Sequence, residues 1–132
     1  MIIWVETAVV LAIHDEQIAE HGGTDGLRDN NALESALGRP KNLEAYGDPP
    51  PDLAALAAAL AFGIARNHAF VDGNKRTSAV VTETFLELND MYLMAADAEV
   101  VAMWTDLGAG TISEPDFAAW LRTKIKKSLS NR

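Results

Sequence analysis

Residues 53–67 read LAALAAALAFGIARN and are apolar on nearly every side of a helix. The large apolar residues of this stretch follow helical spacing: Leu53, Leu56, Leu60 and Ile64. Asp52 is a good N-cap, because a carboxylate can accept hydrogen bonds from the free N–H groups of a first turn. A helix that is apolar all round is typical of the centre of a bundle. We therefore predict a central helix from Leu53 to about Asn67.

The same spacing predicts further helices on both sides of this segment. They run from Thr7 to His21, from near Asn31 to Gly38, from Asn74 to Leu88, from about Ala98 to Leu107, and from Ser113 to a basic last turn at Lys124–Lys127. The stretch from Arg39 to Asp52 holds four prolines and a glycine, and it reads as irregular chain. No segment alternates with period two. The expected fold is an all-α bundle of about six helices, in one domain over residues 1–132.

Composition excludes several classes of function. The 132 residues contain no cysteine, which excludes disulfide scaffolds, thiolate metal sites and cysteine nucleophiles. The net charge is −8 and no basic stripe is present, so direct binding to nucleic acid or to an anionic membrane is not expected. The most apolar stretch is shorter than the ~20 residues that span a bilayer, and the N-terminus lacks the features of a signal peptide. We expect a cytoplasmic protein.

Reactive side chains crowd into the segment that follows the central helix, Asn67-His-Ala-Phe-Val-Asp-Gly-Asn-Lys-Arg-Thr77. Asp72-Gly73 is a turn signal, and glycine lets a ligand approach the backbone. If a helix begins near Asn74, its free N–H groups and the positive end of its dipole favour an anion. Lys75 and Arg76 strengthen that site. The segment is not a Walker A motif, because Asn74 precedes the lysine and Arg76 follows it.

Two further side chains complete a candidate active site. Asp72 is a suitable Mg²⁺ ligand, since this hard ion is usually held by one or two carboxylates together with phosphate oxygens and water. Histidine as a side-chain type titrates near neutral pH, so His68 is the candidate general base for a hydroxyl nucleophile. A base, a metal ligand and a phosphate cradle together indicate phosphoryl or nucleotidyl transfer.

The sequence His68-Ala-Phe-Val-Asp-Gly-Asn-Lys-Arg-Thr77 resembles the signature of the Fic/Doc superfamily, and Lys75 is the variant of its death-on-curing (Doc) branch. The resemblance continues to about Leu121. It includes the stretches Ile13–Glu16, Gly26–Asp29, Leu33–Leu37, Arg39-Pro40 and Phe85–Asn89. A motif of this length, degenerate at few positions, is improbable as a chance match.

The resemblance implies a role for each residue of the motif. His68 would deprotonate a hydroxyl of a target protein, and Phe70 would anchor the loop in the core. Asp72 would hold Mg²⁺. The nucleotide would be bound by Gly73, Asn74, Lys75 and Arg76. Of these, Asn74 and Lys75 are also counted as catalytic. The segment from Arg39 to Gly47 stands where the family has a flap that binds the target's backbone by strand addition.

Two departures from the Fic signature bear on the reaction. Relatives that transfer AMP carry glycine where this chain has Lys75, and they carry a second arginine where it has Ala79. The Doc branch is understood to transfer the γ-phosphate of ATP. The resemblance thus implies a toxin that acts as a Mg²⁺-dependent protein Ser/Thr kinase, with elongation factor Tu as the family's known target. Transfer of AMP or another nucleotide, and a catalytically silent binding module, are the alternatives.

Inhibition of the active site is expected to come from a separate protein. The inhibitory helix of the family carries a Ser/Thr-x-x-x-Glu-(Gly/Asn) pattern, which this sequence does not contain. The resemblance then implies a Phd-like antitoxin acting in trans, whose disordered tail folds on binding. Among residues outside the motif, His14 and His21 are expected to face solvent, and for His14-Asp15 the alternative is a family feature that supports the fold. The three tryptophans are expected to be packing residues: Trp4, Trp104 and Trp120.

Overall fold

The computed structural model describes residues 1–129 and confirms the all-α prediction. It contains six helices: α1 (Thr7–His21), α2 (Asn30–Tyr46), α3 (Leu53–Arg66), α4 (Asn74–Leu88), α5 (Asp97–Ala109) and α6 (Glu114–Lys124). Two short strands, β1 (Met91–Leu93) and β2 (Ile125–Lys127), pair in an antiparallel sheet. Within residues 1–129, no helix is both long enough and apolar enough to cross a bilayer.

Helix α3 lies at the centre of the bundle, as its sequence predicts. It packs against α2, α4, α5 and α6, and ten of its fourteen residues are buried. Small side chains allow this crowding: a Cβ built on Gly63 would lie 3.0 Å from the Cα of Ala36 on α2, so the two helices approach closely there. Asp52 caps α3 by accepting a hydrogen bond of 2.9 Å from the backbone N–H of Ala55. The central helix therefore brings the start of α4 and the face of α5 together at its C-terminal end.

Helix α2 corrects two of the predictions. It does not end at Gly38 but continues to Tyr46, so residues 39–46 are helical rather than an irregular or extended flap. Pro40 lacks only one N–H and is itself buried. The apolar face of the helix also runs on through this proline: Leu33, Ala36, Leu37 and Pro40 are buried, and Leu43 packs against the core. Burial of that face outweighs the helix-breaking tendency of Gly38 and Pro40.

The C-terminal basic cluster is a further correction. Lys124 is the last residue of α6, but Ile125–Lys127 form β2 instead of a helical turn. This strand pairs with β1 in the register Met91–Lys127, Tyr92–Lys126 and Leu93–Ile125. Strands of three residues are too short to show period-two alternation in the sequence. The partly buried Ile125, which packs against the core, favours the extended conformation here.

The tryptophans are packing residues, as predicted, and one of them also joins three helices through a buried hydrogen-bond chain. Trp4 and Trp120 pack against the core, and Trp104 is buried within it. The indole N–H of Trp104 donates to the Ser78 hydroxyl at 2.9 Å. That hydroxyl donates to the backbone carbonyl of Ala61 at 2.7 Å. Helices α3, α4 and α5 are thereby fixed to one another beneath the loop that carries the motif.

Replacing Ser78 with alanine is expected to lower the free energy of unfolding by about 1–3 kcal/mol, because it leaves the buried indole N–H of Trp104 without a partner and removes the bond to the Ala61 carbonyl. Urea denaturation measures the change. Thr84→Ala is the matched control, since Thr84 only donates to Val80, one turn earlier in the same helix. Equal destabilisation by the two variants would show that the hydrogen-bond chain joining the three helices adds no stability of its own.

Candidate active site

The motif loop, residues 67–73, joins α3 to α4 and is anchored in the core by Phe70, as predicted. The Phe70 ring is 2% exposed and stacks on the ring of His14, with centroids 3.8 Å apart and planes 8° from parallel. The Asn74 side chain binds the same residue from the other side: its oxygen accepts from the Phe70 N–H at 3.1 Å, and its amide donates to the Phe70 carbonyl at 2.9 Å. Asn74 therefore holds the loop with its side chain, and only its backbone N–H is left to face a ligand.

His14 does not face solvent, and the structure fits the alternative in which it supports the fold. It is 2% exposed, and its Nε2 lies 2.8 Å from the carbonyl oxygen of Asp72, so Nε2 carries the proton and donates it. The buried residues of α1 are Val10, His14 and Gln17, which share one face of the helix. His21, by contrast, is exposed as predicted, and it lies at the rim of the cavity described below. Helix α1 thus holds the motif loop through the contacts of His14 with Phe70 and Asp72.

A second loop, which we call the glycine loop (residues 22–29), clamps the motif loop through backbone hydrogen bonds. The N–H groups of Arg28 and Asp29 donate to the Ala69 carbonyl at 2.7 and 3.0 Å. The Val71 N–H donates to the Gly26 carbonyl at 3.0 Å. Because these bonds use the backbone of both loops, the clamp fixes the path of the motif loop from one side.

His68 is held in an uncommon backbone conformation. Its φ is 53°, in the left-handed region that costs a non-glycine residue free energy. Its carbonyl accepts a hydrogen bond of 3.0 Å from Nε of Arg28. The His68 side chain is exposed and lines the cavity. The hydrogen bond from Arg28 and the backbone hydrogen bonds from the glycine loop thus offset the backbone strain at His68. That conformation places the His68 imidazole at the mouth of the cavity.

Replacing Arg28 with methionine is expected to free the His68 carbonyl and to let the backbone of His68 leave the left-handed region. If His68 is the general base predicted from the sequence, phosphoryl or nucleotidyl transfer should fall about 10-fold or more, because small misplacements of a catalytic group are costly. Steady-state kinetics measure the fall. Lys41→Met is the control, since it removes an exposed cation of α2 that does not line the cavity. A variant as active as the wild type would show that Arg28 does not position His68.

Asp72 presents an ionised carboxylate at the cavity. Its Oδ1 accepts from the Gly73 N–H at 2.8 Å, and its Oδ2 accepts from the Thr24 N–H at 3.1 Å. The hydrogen bond from Thr24, then that from Gly73, and the positive charge of Arg76 hold the pKa of Asp72 below its usual value of 3.8. Each oxygen keeps a further lone pair, because a carboxylate accepts about four hydrogen bonds. An exposed, oriented carboxylate beside an anion site fits a Mg²⁺ ion that also binds phosphate oxygens.

The N-terminus of α4 forms the anion-binding wall. Gly73 is its N-cap in the left-handed conformation, with φ of 77°, and a Cβ there would lie 3.1 Å from Ile18. The N–H groups of Asn74, Lys75 and Arg76 have no acceptor within the helix. One terminal nitrogen of Arg76 donates to the Gly22 carbonyl at 2.8 Å, while its buried Nε has no partner among the described residues. This arrangement concentrates hydrogen-bond donors and positive charge at one point.

These residues share a cavity of about 780 Å³. Its walls are the motif loop, the start of α4, the glycine loop and the α5 residues Thr105, Gly108 and Ala109. Lys75 and Arg76 outnumber Asp72 among its charged residues, although the whole chain has a net charge of −8. A volume of this size suits a nucleotide-sized ligand. The local excess of positive charge favours an anionic one.

The six residues proposed from the sequence all line this cavity: His68, Asp72, Gly73, Asn74, Lys75 and Arg76. Sequence reasoning missed the glycine loop and the wall from α5. The glycines at 22, 23 and 26 were a usable signal, since runs of glycine often mark a close approach of backbone. A Cβ on Gly23 would lie 2.7 Å from Oδ2 of Asp72, which shows that such an approach exists.

Comparison with known proteins shows which family this sequence matches. The model of the Fic/DOC family matches residues 4–86. A protein of Mycolicibacterium smegmatis named Toxin Doc is 48% identical over 80 residues, which are 60% of this chain and 60% of that protein. A protein of Escherichia phage P1 named Protein kinase doc is 31% identical over 113 residues, 86% of this chain and 88% of that protein. The match thus spans less than two thirds of the length of the mycobacterial relative.

Proposed function

This chain belongs to the Fic/DOC family, and we propose that it is a Doc-like toxin that transfers the γ-phosphate of ATP to a Ser or Thr hydroxyl of a protein. The observation that carries the proposal is the cavity on this acidic chain. A helix N-terminus, two cations, an ionised carboxylate and an exposed imidazole all border it. Those are the parts that phosphoryl transfer requires, because its catalysis rests on positioning and on stabilising charge.

The proposed reaction divides the work among the residues of the cavity. The His68 imidazole takes the proton of the target hydroxyl as its oxygen bonds to the γ-phosphorus, and ADP leaves with the electrons of the broken P–O bond. The N–H groups at the start of α4, with Lys75 and Arg76, hold the phosphate oxygens. Asp72 would hold Mg²⁺, which supplies charge neutralisation on the phosphates when bound. The Asn74 side chain keeps the loop in the required shape.

Phosphate transfer is favoured over AMP transfer by two positions on α4. Lys75 places an additional cation in the cavity. Ala79, where AMP-transferring relatives carry arginine, packs against the core. The name of the phage P1 relative, Protein kinase doc, supports the same choice. The proposed target is elongation factor Tu, by family resemblance, and the effect of its modification would be a block of translation.

A partner follows from the same proposal. The mycobacterial relative is named Toxin Doc, and a toxin of this kind needs a cognate antitoxin in the cell that makes it. We propose that a Phd-like antitoxin covers the active site in trans. The chain would work in the cytoplasm, where its nucleotide and its target are found.

ATP labelled at a single phosphorus distinguishes the alternatives. Purified protein is incubated with elongation factor Tu, Mg²⁺, and ATP carrying ³²P at either the γ or the α position. The proposal predicts label on the target from γ-labelled ATP only. Label from α-labelled ATP would mean nucleotidyl transfer. Label from neither, on this target and on a whole bacterial lysate, would favour a silent binding module.

A further inference from the structure

The Lys75 side chain lies across a notch in α5 that Gly108 creates. A Cβ built on Gly108 would stand 2.7 Å from Cδ of Lys75, 3.0 Å from Cγ and 3.9 Å from Cε. The first two distances are shorter than van der Waals contact, so the stem of the lysine occupies the space that any other residue at 108 would fill. The two residues lie on different helices, 33 positions apart in the sequence.

The backbone does not require glycine at this position. Gly108 lies inside α5, and the left-handed residue at the end of that helix is its C-cap Gly110, with φ of 79°. Glycine within a helix is less stable than alanine, because the unfolded chain gains conformational freedom. Stability of α5 alone would therefore favour alanine at 108. The benefit of the glycine must come from the space it leaves.

The notch is a packing restraint on a lysine that is otherwise exposed. Among residues 1–129, the ion pairs do not include Lys75, so no carboxylate holds its ammonium group. A lysine side chain has four rotatable bonds and a large conformational entropy. Packing of its stem on α5 restricts the directions in which the ammonium group can point. Both residues line the cavity, so a restricted stem keeps the ammonium group close to it.

We propose that Gly108 is the positioning residue for Lys75, and that α5 serves as the rest on which the lysine reaches the phosphates of the bound nucleotide. This proposal rests on the proposed function, in which Lys75 holds phosphate oxygens. The family match ends at residue 86, so this wall of the cavity lies outside it. The notch thus assigns to α5 a part in the reaction that the motif does not contain.

Gly108→Ala is the direct test, and Gly38→Ala is its matched control. Both glycines lie within helices, but a Cβ on Gly38 would meet nothing within 4 Å. We expect Gly108→Ala to lower kcat/KM for ATP by about 10–100-fold, because it displaces the lysine stem by several tenths of an ångström and its ammonium group by more. Thermal unfolding should show no loss of stability. Gly38→Ala should keep wild-type kinetics.

A double-mutant cycle separates positioning from simple blocking of the cavity. In a Lys75→Ala background, the stem is gone and a methyl group at 108 has room. Gly108→Ala should then have no further effect on kcat/KM. An equal fall in both backgrounds would overturn the proposal, because it would show that the methyl group obstructs the nucleotide directly. A wild-type rate for Gly108→Ala would overturn it as well.

A readout without activity keeps this test apart from that of the proposed function. The chain has five lysines, so ¹³C-lysine labelling gives few side-chain signals, and Lys75→Ala identifies that of Lys75. The proposal predicts that Gly108→Ala shifts the Lys75 signal and that Gly38→Ala does not. An unmoved signal would contradict the notch, even if the protein proved to transfer no phosphate at all.

Discussion

His68→Ala is expected to reduce the rate of phosphate transfer by about 10²–10⁴-fold, the usual contribution of a general base. The imidazole is exposed at the rim of the cavity, where it can meet a hydroxyl of a bound protein, and the Arg28 guanidinium holds its backbone carbonyl. The loss should fall on kcat, because the phosphate-binding groups of α4 remain. Single-turnover kinetics with saturating ATP measure it.

His68→Asn is the control for backbone effects. Asparagine adopts the left-handed conformation readily, so it preserves the loop with φ of 53° at this position while it removes the base. Both variants should lose the same activity and should bind Mg²⁺–ATP as the wild type does. If His68→Asn retained most of the transfer rate, the assignment of His68 as the general base would be wrong.

Asp72→Asn is expected to lower transfer by about 10²-fold or more, since among residues 1–129 it removes the one carboxylate that lines the cavity and with it the ligand proposed for Mg²⁺. Asparagine can accept from only one of the two N–H groups that Asp72 now binds, those of Gly73 and Thr24. Isothermal titration with ATP, with and without Mg²⁺, measures the effect. Magnesium should strengthen ATP binding to the wild type and should have little effect on the variant.

The pKa of Asp72 gives this prediction a pH dependence. The folded-state pKa lies below 3.8, so the native state favours the ionised carboxylate. Its contribution to stability is therefore present above the unfolded value and is lost as the pH falls through the folded one. Magnesium-dependent binding should persist in mildly acidic buffer. Titration of the Asp72 carboxyl followed by ¹³C NMR checks this directly, and a midpoint above 3.8 would contradict the stabilisation of its ionised form by Thr24 and Gly73.

The sequence predicted the parts of the fold that local signals control. Helices α1 and α4 have the predicted bounds, and the end of α3 differs by one residue. Each has sustained apolar spacing or a glycine at its boundary. Helix α2 was predicted too short because Gly38 and Pro40 are local signals of termination, whereas the burial of Pro40 is a tertiary effect. Local helix propensity does not include the effect of burying a side chain in the tertiary structure.

The candidate site divides in the same way. Its six proposed residues lie within nine positions of one another, so a single motif reveals them. The contacts that support them come from distant segments: His14 meets Asp72 across 58 positions, and Arg28 meets His68 across 40. A buried histidine cannot be told from an exposed one by spacing alone when neighbouring positions are polar. The contact between Gly108 and the Lys75 side chain could not be predicted from the sequence, because it depends on how α5 packs against α4.

The most direct test of the central claim is the mass of the target after reaction. Elongation factor Tu is incubated with the purified chain, ATP and Mg²⁺, and intact and peptide mass spectra are then recorded. We predict a gain of one phosphate group on a single Ser or Thr, absent with His68→Ala. A gain of one AMP would contradict this prediction and would mean that the nucleotide binds in the other orientation despite Lys75.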